Sequence, residues 1–261
     1  MSTDELIVTR RGHLLSIELN RPSARNAVSP AMLDALVAAI EDARATRTDV
    51  VTISGAGGFF CAGADIRSYT DPHGRLDELE AFTRAARDLC RAIETLDAVT
   101  VAAVDGPCLG GGFEIALACD LIIAAETARF GLPETRLGLV PGWGGTQRLT
   151  EAVGPRRARE LVLTASVVSA ETAAAWGIVT RVVISDELRP TLEATADDLL
   201  TRAPLALAGA KRAIAAAVAD TWPTVGAERE TAELMALFAS HDGAEGISAF
   251  VEKRPAQFTG A

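Results

Sequence analysis

Three segments of the chain combine residue types able to perform acid-base chemistry beside a polarised carbonyl. The first is Gly110-Gly111-Gly112-Phe113-Glu114-Ile115-Ala116-Leu117-Ala118-Cys119-Asp120, where three glycines run into a helical stretch with a carboxylate in its first turn. Glycine lets a substrate approach the backbone, and the free amides of a helix start point at negative charge. The Gly111 N–H is therefore a candidate donor to an oxyanion, while the triplet alone also fits a tight turn or close packing. The second segment, Phe60-Cys61-Ala62-Gly63-Ala64-Asp65-Ile66, offers the N–H of Ala64. Two amides on separate loops make an oxyanion hole, and loss of one such donor typically costs on the order of 10²–10³ in rate. A nucleotide-phosphate loop is the competing reading of the preceding glycines. It fails because Gly55-Ala56-Gly57-Gly58-Phe59-Phe60 lacks the third glycine of G-x-G-x-x-G and any Gly-Lys-Ser/Thr.

The third segment is Phe130-Gly131-Leu132-Pro133-Glu134, followed by Leu137-Gly138-Leu139-Val140-Pro141-Gly142-Trp143-Gly144-Gly145-Thr146-Gln147-Arg148. Glu134 is expected in a loop beyond a strand that returns it opposite Glu114. A single glutamate is most often a solvated surface charge. Two across one small space suit general acid and base work, because mutual repulsion and burial raise at least one of their pKa values and divide the roles.

The elements that must position these residues are legible as alternating strands and helices. Leu6 to Arg10 and Leu14 to Leu19 read as a hairpin around Arg11-Gly12-His13, the second strand alternating Leu15, Ile17 and Leu19 with polar residues. Ser29-Pro30 supplies an N-cap and a first-turn proline, and Leu33, Leu36, Val37 and Ile40 lie at helical spacing, predicting about four turns of helix. Val50 to Ile53, Thr100 to Val104 and Leu121 to Ala124 are short apolar runs separated by helical stretches, which implies a largely parallel, buried sheet. Beyond about Ile184 the stretches Glu187 to Arg202, Leu205 to Val218, Glu228 to Ala239 and Gly243 to Lys253 all read as helices. The expected organisation is a core of residues 1–186 and a helical region of residues 187–261. The helices of the latter are rich in Ala and Leu, and some of their apolar faces are expected to need another subunit.

Composition narrows the function classes. The 261 residues are long enough to bury a sizeable core, and 49% hydrophobic with 23% charged residues is ordinary globular usage. No apolar run approaches the roughly 20 residues of a membrane span. The first residues lack the basic and apolar regions of a secretory signal, so a cytoplasmic location is expected. A formal net charge of −10 repels a phosphate backbone and argues against nucleic acid as a partner. Cys61, Cys90, Cys108 and Cys119 show no C-x-x-C pairing and read as buried small hydrophobes. His13, His73 and His241 lack metal-ligand spacing, so no metal is expected, and Arg156, Arg157 and Arg159 read as a solvated helix face.

Taken with Asn20-Arg21-Pro22 and Asn26-Ala27 upstream, these segments resemble the crotonase, or enoyl-CoA hydratase/isomerase, family. The resemblance covers nearly the whole chain, extending through Ala174-Ala175-Trp176-Gly177-Ile178-Val179, Asp242-Gly243-Ala244-Glu245-Gly246-Ile247 and Ala249-Phe250-Val251-Glu252-Lys253-Arg254. It implies an α/β fold, a spiral of β-β-α units followed by a C-terminal all-helical region that builds trimers or dimers of trimers. It implies that the Ala64 and Gly111 amides hold a thioester oxygen, that Glu114 activates water for attack at Cβ, and that Glu134 delivers a proton to Cα. The implied reaction is syn addition of water to a 2-trans-enoyl-CoA, with coenzyme A entering as part of the substrate and no further cofactor. Gly142 matches a position whose amide helps hold the water. Ala24, Arg25, Ala62, Asp65 and Ile66 match regions lining the CoA nucleotide, and Lys253 and Phe258 match residues that approach a neighbour's CoA.

The sequence departs from the family pattern at Leu132, where many hydratases have Gln, and at Thr164-Ala165-Ser166, which replaces the commoner Thr-Gly-Arg/Lys. It also departs at Trp143, a frequently small position, where the indole either lines the acyl pocket or is ordinary loop packing. The rival within the family is an enoyl-CoA isomerase or another activity on a specialised acyl-CoA; isomerases commonly keep only the second carboxylate, so Glu114 favours hydration. A catalytically silent CoA-binding protein is the rival from another class, and no motif shows the degradation it requires.

Overall fold

The computed structural model describes residues 4–65, 76–219, 240–252 and 254–261, so the helix expected over 228–239 and the residues His73, Ile66 and Lys253 lie outside the described residues. The chain opens with strands β1 (Leu6–Arg11) and β2 (Leu14–Leu19), paired antiparallel as expected. Helix α1 (Pro30–Ala45) starts where predicted: the Ser29 hydroxyl accepts from the Met32 N–H at 3.0 Å, and Leu33, Leu36 and Ile40 bury the inward stripe. Then come β3 (Val50–Gly55), α2 (Leu76–Glu94), β4 (Val99–Val104), β5 (Pro107–Leu109) and α3 (Gly111–Leu117). The next elements are β6 (Leu121–Ala125), β7 (Arg129–Gly131), α4 (Gly145–Thr164), β8 (Val167–Ser169), α5 (Ala170–Ala175) and β9 (Arg181–Val183). Helices α6 (Leu188–Leu200), α7 (Pro204–Ala219) and α8 (His241–Glu252) follow.

Six strands form one sheet in the order β1-β2-β3-β4-β6-β9, parallel except for the opening hairpin. All six residues of β4 are buried, as a central parallel strand covered on both faces requires. A second, three-stranded sheet has the order β5-β7-β8, and an isolated parallel bridge between Cys61 and Cys108 extends it. Successive turns of the chain thus leave a long strand in the first sheet and a short one in the second: β3 with Cys61, β4 with β5, β6 with β7. This is the expected spiral, and its short strands end beside the segments that carry the chemistry. All four cysteines are free thiols.

One feature differs from the sequence reading, and one helix with an internal break was not read from it. Glu134 does not sit in an irregular loop but begins a 3-10 turn, Glu134–Leu137. Helix α4 is broken at Gly154, whose φ of +76° precedes Pro155, a residue that cannot donate to the helix; the two halves are separate segments.

The expected boundary at residue 186 falls in a 3-10 turn, Ser185–Glu187. Helix α6 packs back on the first sheet, with Leu188 and Leu192 against Val99, Val101, Ala103, Ile123 and Ala125. Its apolar face is therefore satisfied within the chain, whereas Ile214 on α7 is 67% exposed. Lys211 ties α7 to the same sheet by donating to Asp120 Oδ2 at 2.7 Å and to the Ala98 carbonyl at 3.1 Å. The chain end folds onto α8. The Asp242 carboxylate accepts from the Thr259 and Gly260 amides at 2.6 and 2.7 Å, and Glu245 accepts from Arg254 and from the Gln257 amide.

Candidate active site

Glu114 stands in the first turn of α3, one turn beyond the glycines. Gly110 takes φ +53° to turn the chain into the helix, and its own amide is secured by the Gly131 carbonyl at 3.0 Å. The Glu114 side chain is almost wholly buried, and its Oε1 accepts from the Trp143 and Gly145 amides, both at 2.7 Å. A methyl group on Gly145 would lie 2.8 Å from the Glu114 side chain, so only glycine lets that amide come so close. Burial pushes the Glu114 carboxyl up to about 7. The two amides and Arg148 oppose the rise, and the charge of Glu134 adds to it.

Glu134 reaches the same place from the end of β7. Its Oε1 lies 3.1 Å from the point a Gly110 Cβ would occupy, which puts the carboxylate against the turn that launches α3. Its Oε2 is buried without a protein hydrogen-bond partner among the described residues, and burial raises the pKa of the carboxyl from its ordinary value. The structure therefore brings the two predicted carboxylates together as an interacting pair, with one oxygen of Glu134 uncommitted.

The two candidate amides also converge. Around Ala64 the backbone alternates: Val28 donates to Gly63 O at 2.8 Å and Asp65 donates to Val28 O at 3.0 Å, which leaves the Ala64 N–H without an acceptor among the described residues. The Gly111 N–H, first of its helix, likewise has no acceptor among the described residues. The loop and the helix start touch, since a Cβ on Gly63 would lie 3.3 Å from Gly111 N and one on Gly112 only 2.3 Å from Cys61 O. Free donors on both sides of this junction fit a carbonyl oxygen acquiring charge.

Gly142 is exposed, while its neighbours Trp143 and Gly145 supply the amides on Glu114. Trp143 is 4% exposed, meets Phe82 edge-on at 5.9 Å, and lies so close to Gly111 that a methyl there would be 2.3 Å from its ring. Arg25 is exposed at φ +53°, and its carbonyl accepts from the Ala62 amide at 3.0 Å, so Ala24, Arg25 and Ala62 are neighbours. Asp65 turns its carboxylate to Arg21, at 3.0 Å. Phe258 packs against Gly246, Leu132 is buried, and Arg157 lies over the Trp176 ring at 5.1 Å on an otherwise solvated face.

Sequence reasoning assigned no role to Arg148 or Asn26. Arg148 Nη1 donates to the Trp143 carbonyl at 3.0 Å and Nη2 to Glu94 at 2.8 Å. Asn26, wholly buried at φ +54°, accepts from the Arg21 amide and donates to the Ala56 and Phe59 carbonyls, fastening the 21–27 turn to the loop after β3. The available signals were a cation one turn into a glycine-started helix and an asparagine where a left-handed residue is tolerated.

Comparison with known proteins agrees with this geometry. Residues 9–261 match the enoyl-CoA hydratase/isomerase family. The chain is 39% identical to 2,3-dehydroadipyl-CoA hydratase of Escherichia coli K12, covering 98% of this chain and 99% of that protein. It is 38% identical to crotonyl-CoA hydratase of Syntrophomonas wolfei, covering 99% of each. The crystal structure of an enoyl-CoA hydratase from Bacillus anthracis superposes with a TM-score of 0.94 at 34% identity, over 98% of this chain and 100% of that one. On the strength of its full-length match, its shared spiral and its two juxtaposed glutamates, the chain belongs to the enoyl-CoA hydratase/isomerase family, the crotonases.

Proposed function

We propose that the protein is an enoyl-CoA hydratase, a lyase that adds water reversibly across the double bond of a 2-trans-enoyl-CoA to give a 3-hydroxyacyl-CoA. The observation that carries the reading is the placement of two buried carboxylates, both with raised pKa values, beside two backbone amides that have no acceptor among the described residues. In this scheme the Ala64 and Gly111 N–H groups donate to the thioester oxygen and draw electron density from the double bond. Glu114 takes a proton from water as its oxygen bonds to Cβ, and Glu134 gives its proton to Cα. The water is consumed, one proton has passed from Glu134 to the substrate and one from water to Glu114, and transfer between the coupled pair resets the site. Glu134 must start protonated, which its burial favours.

Retention of Glu114 supports hydration over isomerisation, and the names of the relatives point the same way. Coenzyme A arrives with the substrate and the chemistry calls on no other cofactor. The reading includes a homo-oligomer, trimer or dimer of trimers, in keeping with exposed Leu137, Leu139, Val140 and Leu163, and a cytoplasmic setting that keeps the four thiols reduced. Among the described residues no helix is long and apolar enough to cross a membrane.

The test is the loss of enoyl-thioester absorbance when crotonyl-CoA meets wild type, Glu114→Gln and Glu134→Gln. Wild type is expected to hydrate it, and each substitution to lower kcat by about 10²–10⁴-fold. A wild-type protein that binds crotonyl-CoA without turnover, or moves a 3,4-double bond faster than it hydrates a 2,3-bond, overturns the proposal.

A further inference from the structure

The contacts of Arg148 are unusual for a helix surface cation. It stands in the first turn of α4 with only 12% of its side chain exposed, and it divides its guanidinium between two elements. Nη1 donates to the Trp143 carbonyl at 3.0 Å, and Nη2 donates to the Glu94 carboxylate at the end of α2 at 2.8 Å. Gly144 permits this approach at φ +103°, since a Cβ there would lie 2.3 Å from Nη1. The peptide whose carbonyl Arg148 holds lies between the two peptides whose N–H groups grip Glu114 Oε1. Holding that central peptide restrains the backbone that presents both donors.

We propose that Arg148 is a positioning residue for hydration: by bridging Glu94 and the Trp143 carbonyl it fixes the 143–145 loop, which aims the Glu114 carboxylate at the substrate. The inference rests on the hydratase reading for its kinetic consequence and on geometry for the link itself. The charged and titratable groups that face Glu114 among the described residues are Glu134 from the turn after β7, Arg148 from α4 and Cys90 from α2, and burial pushes the Cys90 thiol up, keeping it neutral. Arg148 is the cation in this set, so its removal favours the protonated form of Glu114. The charge of Arg148 alone would move the titration of Glu114, so the positioning role is read from kcat in a variant that keeps the charge and loses the two-ended grip.

The experiment separates charge from geometry. In protein labelled with 13C-glutamate, the Glu114 carboxyl resonance is identified by its loss in Glu114→Gln and titrated in wild type, Arg148→Met and Arg148→Lys, with crotonyl-CoA kinetics measured in parallel. Arg148→Met is expected to move the Glu114 midpoint up by about one pH unit. Arg148→Lys is expected to keep the midpoint near that of wild type and lower kcat by about 10²-fold with KM little changed, because one ammonium cannot hold the Trp143 carbonyl and Glu94 in the same geometry. A midpoint in Arg148→Met equal to wild type, or full-speed hydration by Arg148→Lys, overturns the inference. Should Arg148→Met fail to fold, Glu94→Gln at the half-exposed end of the bridge serves instead: roughly a tenfold loss of kcat supports the inference and unchanged kcat overturns it. Wild type inert toward crotonyl-CoA sinks the hydratase reading alone, and the titration still decides whether Arg148 governs Glu114.

Discussion

Burial pushes the Glu114 carboxyl up to about 7, so its protonated and ionised forms are both expected near neutral pH. Water activation needs the ionised form, so kcat/KM for crotonyl-CoA is expected to fall on the acid side with a midpoint near 7; a rate that holds steady down to pH 5 would remove Glu114 as the base. The same shift sets a pattern in stability. The folded value lies above the ordinary 4.5, so the folded state binds the proton more tightly and stability declines as pH rises from 4.5 through about 7. By pH 8 the ionised, buried carboxylate costs about 3 kcal/mol. Glu114→Gln is accordingly expected to melt above wild type at pH 8 and alongside it below pH 4.5, as read by calorimetry across that range. At Gly111 the constraint is steric, because a methyl group would sit 2.3 Å from the Trp143 ring. Gly111→Ala is expected to cost about 1–3 kcal/mol of stability from overpacking and, with its amide displaced, on the order of 10² in kcat. Adding Trp143→Ala should recover part of both, and a double-mutant cycle with no coupling would show that the ring and the glycine do not meet.

At the scale of the element, the departure at Thr164-Ala165-Ser166 acquires a physical meaning. Ala165 closes α4 at φ +50°, a left-handed conformation that alanine adopts at a cost and glycine adopts freely. Ala165→Gly is expected to raise stability by up to about 1 kcal/mol, measured by urea unfolding with the slope unchanged. The hairpin, α1 and its Ser29 cap, and the central strands were legible because each rests on local periodicity and a nearby stop signal. The amides on Glu114 were not. They come from residues 29 and 31 positions away, in a loop whose Trp143 carbonyl is bonded by an Arg148 that also reaches Glu94 on α2, and no local pattern encodes that reach. Likewise Glu114 and Glu134 could be named from residue type and resemblance, whereas the burial that tunes both carboxylates is a property of the packed molecule.

For the whole molecule, exposed Leu137, Leu139, Val140 and Leu163 are the apolar groups that the proposed oligomer is expected to cover. Sedimentation is expected to return three or six times the 27.3 kDa of one chain, and a monomer at micromolar concentration would count against the trimeric reading. The sheet order carries a last consequence, for how the molecule comes to exist during synthesis. Beyond the opening hairpin every pairing in the first sheet is parallel, so each new strand must wait for a crossover to be made. Strand β4, buried along its whole length, depends on Leu188 and Leu192 to cover Val99, Val101 and Ala103. A ribosome that has released β4 therefore holds a sticky, half-built layer until α6 emerges, a vectorial gap in which a nascent chain has most need of chaperones.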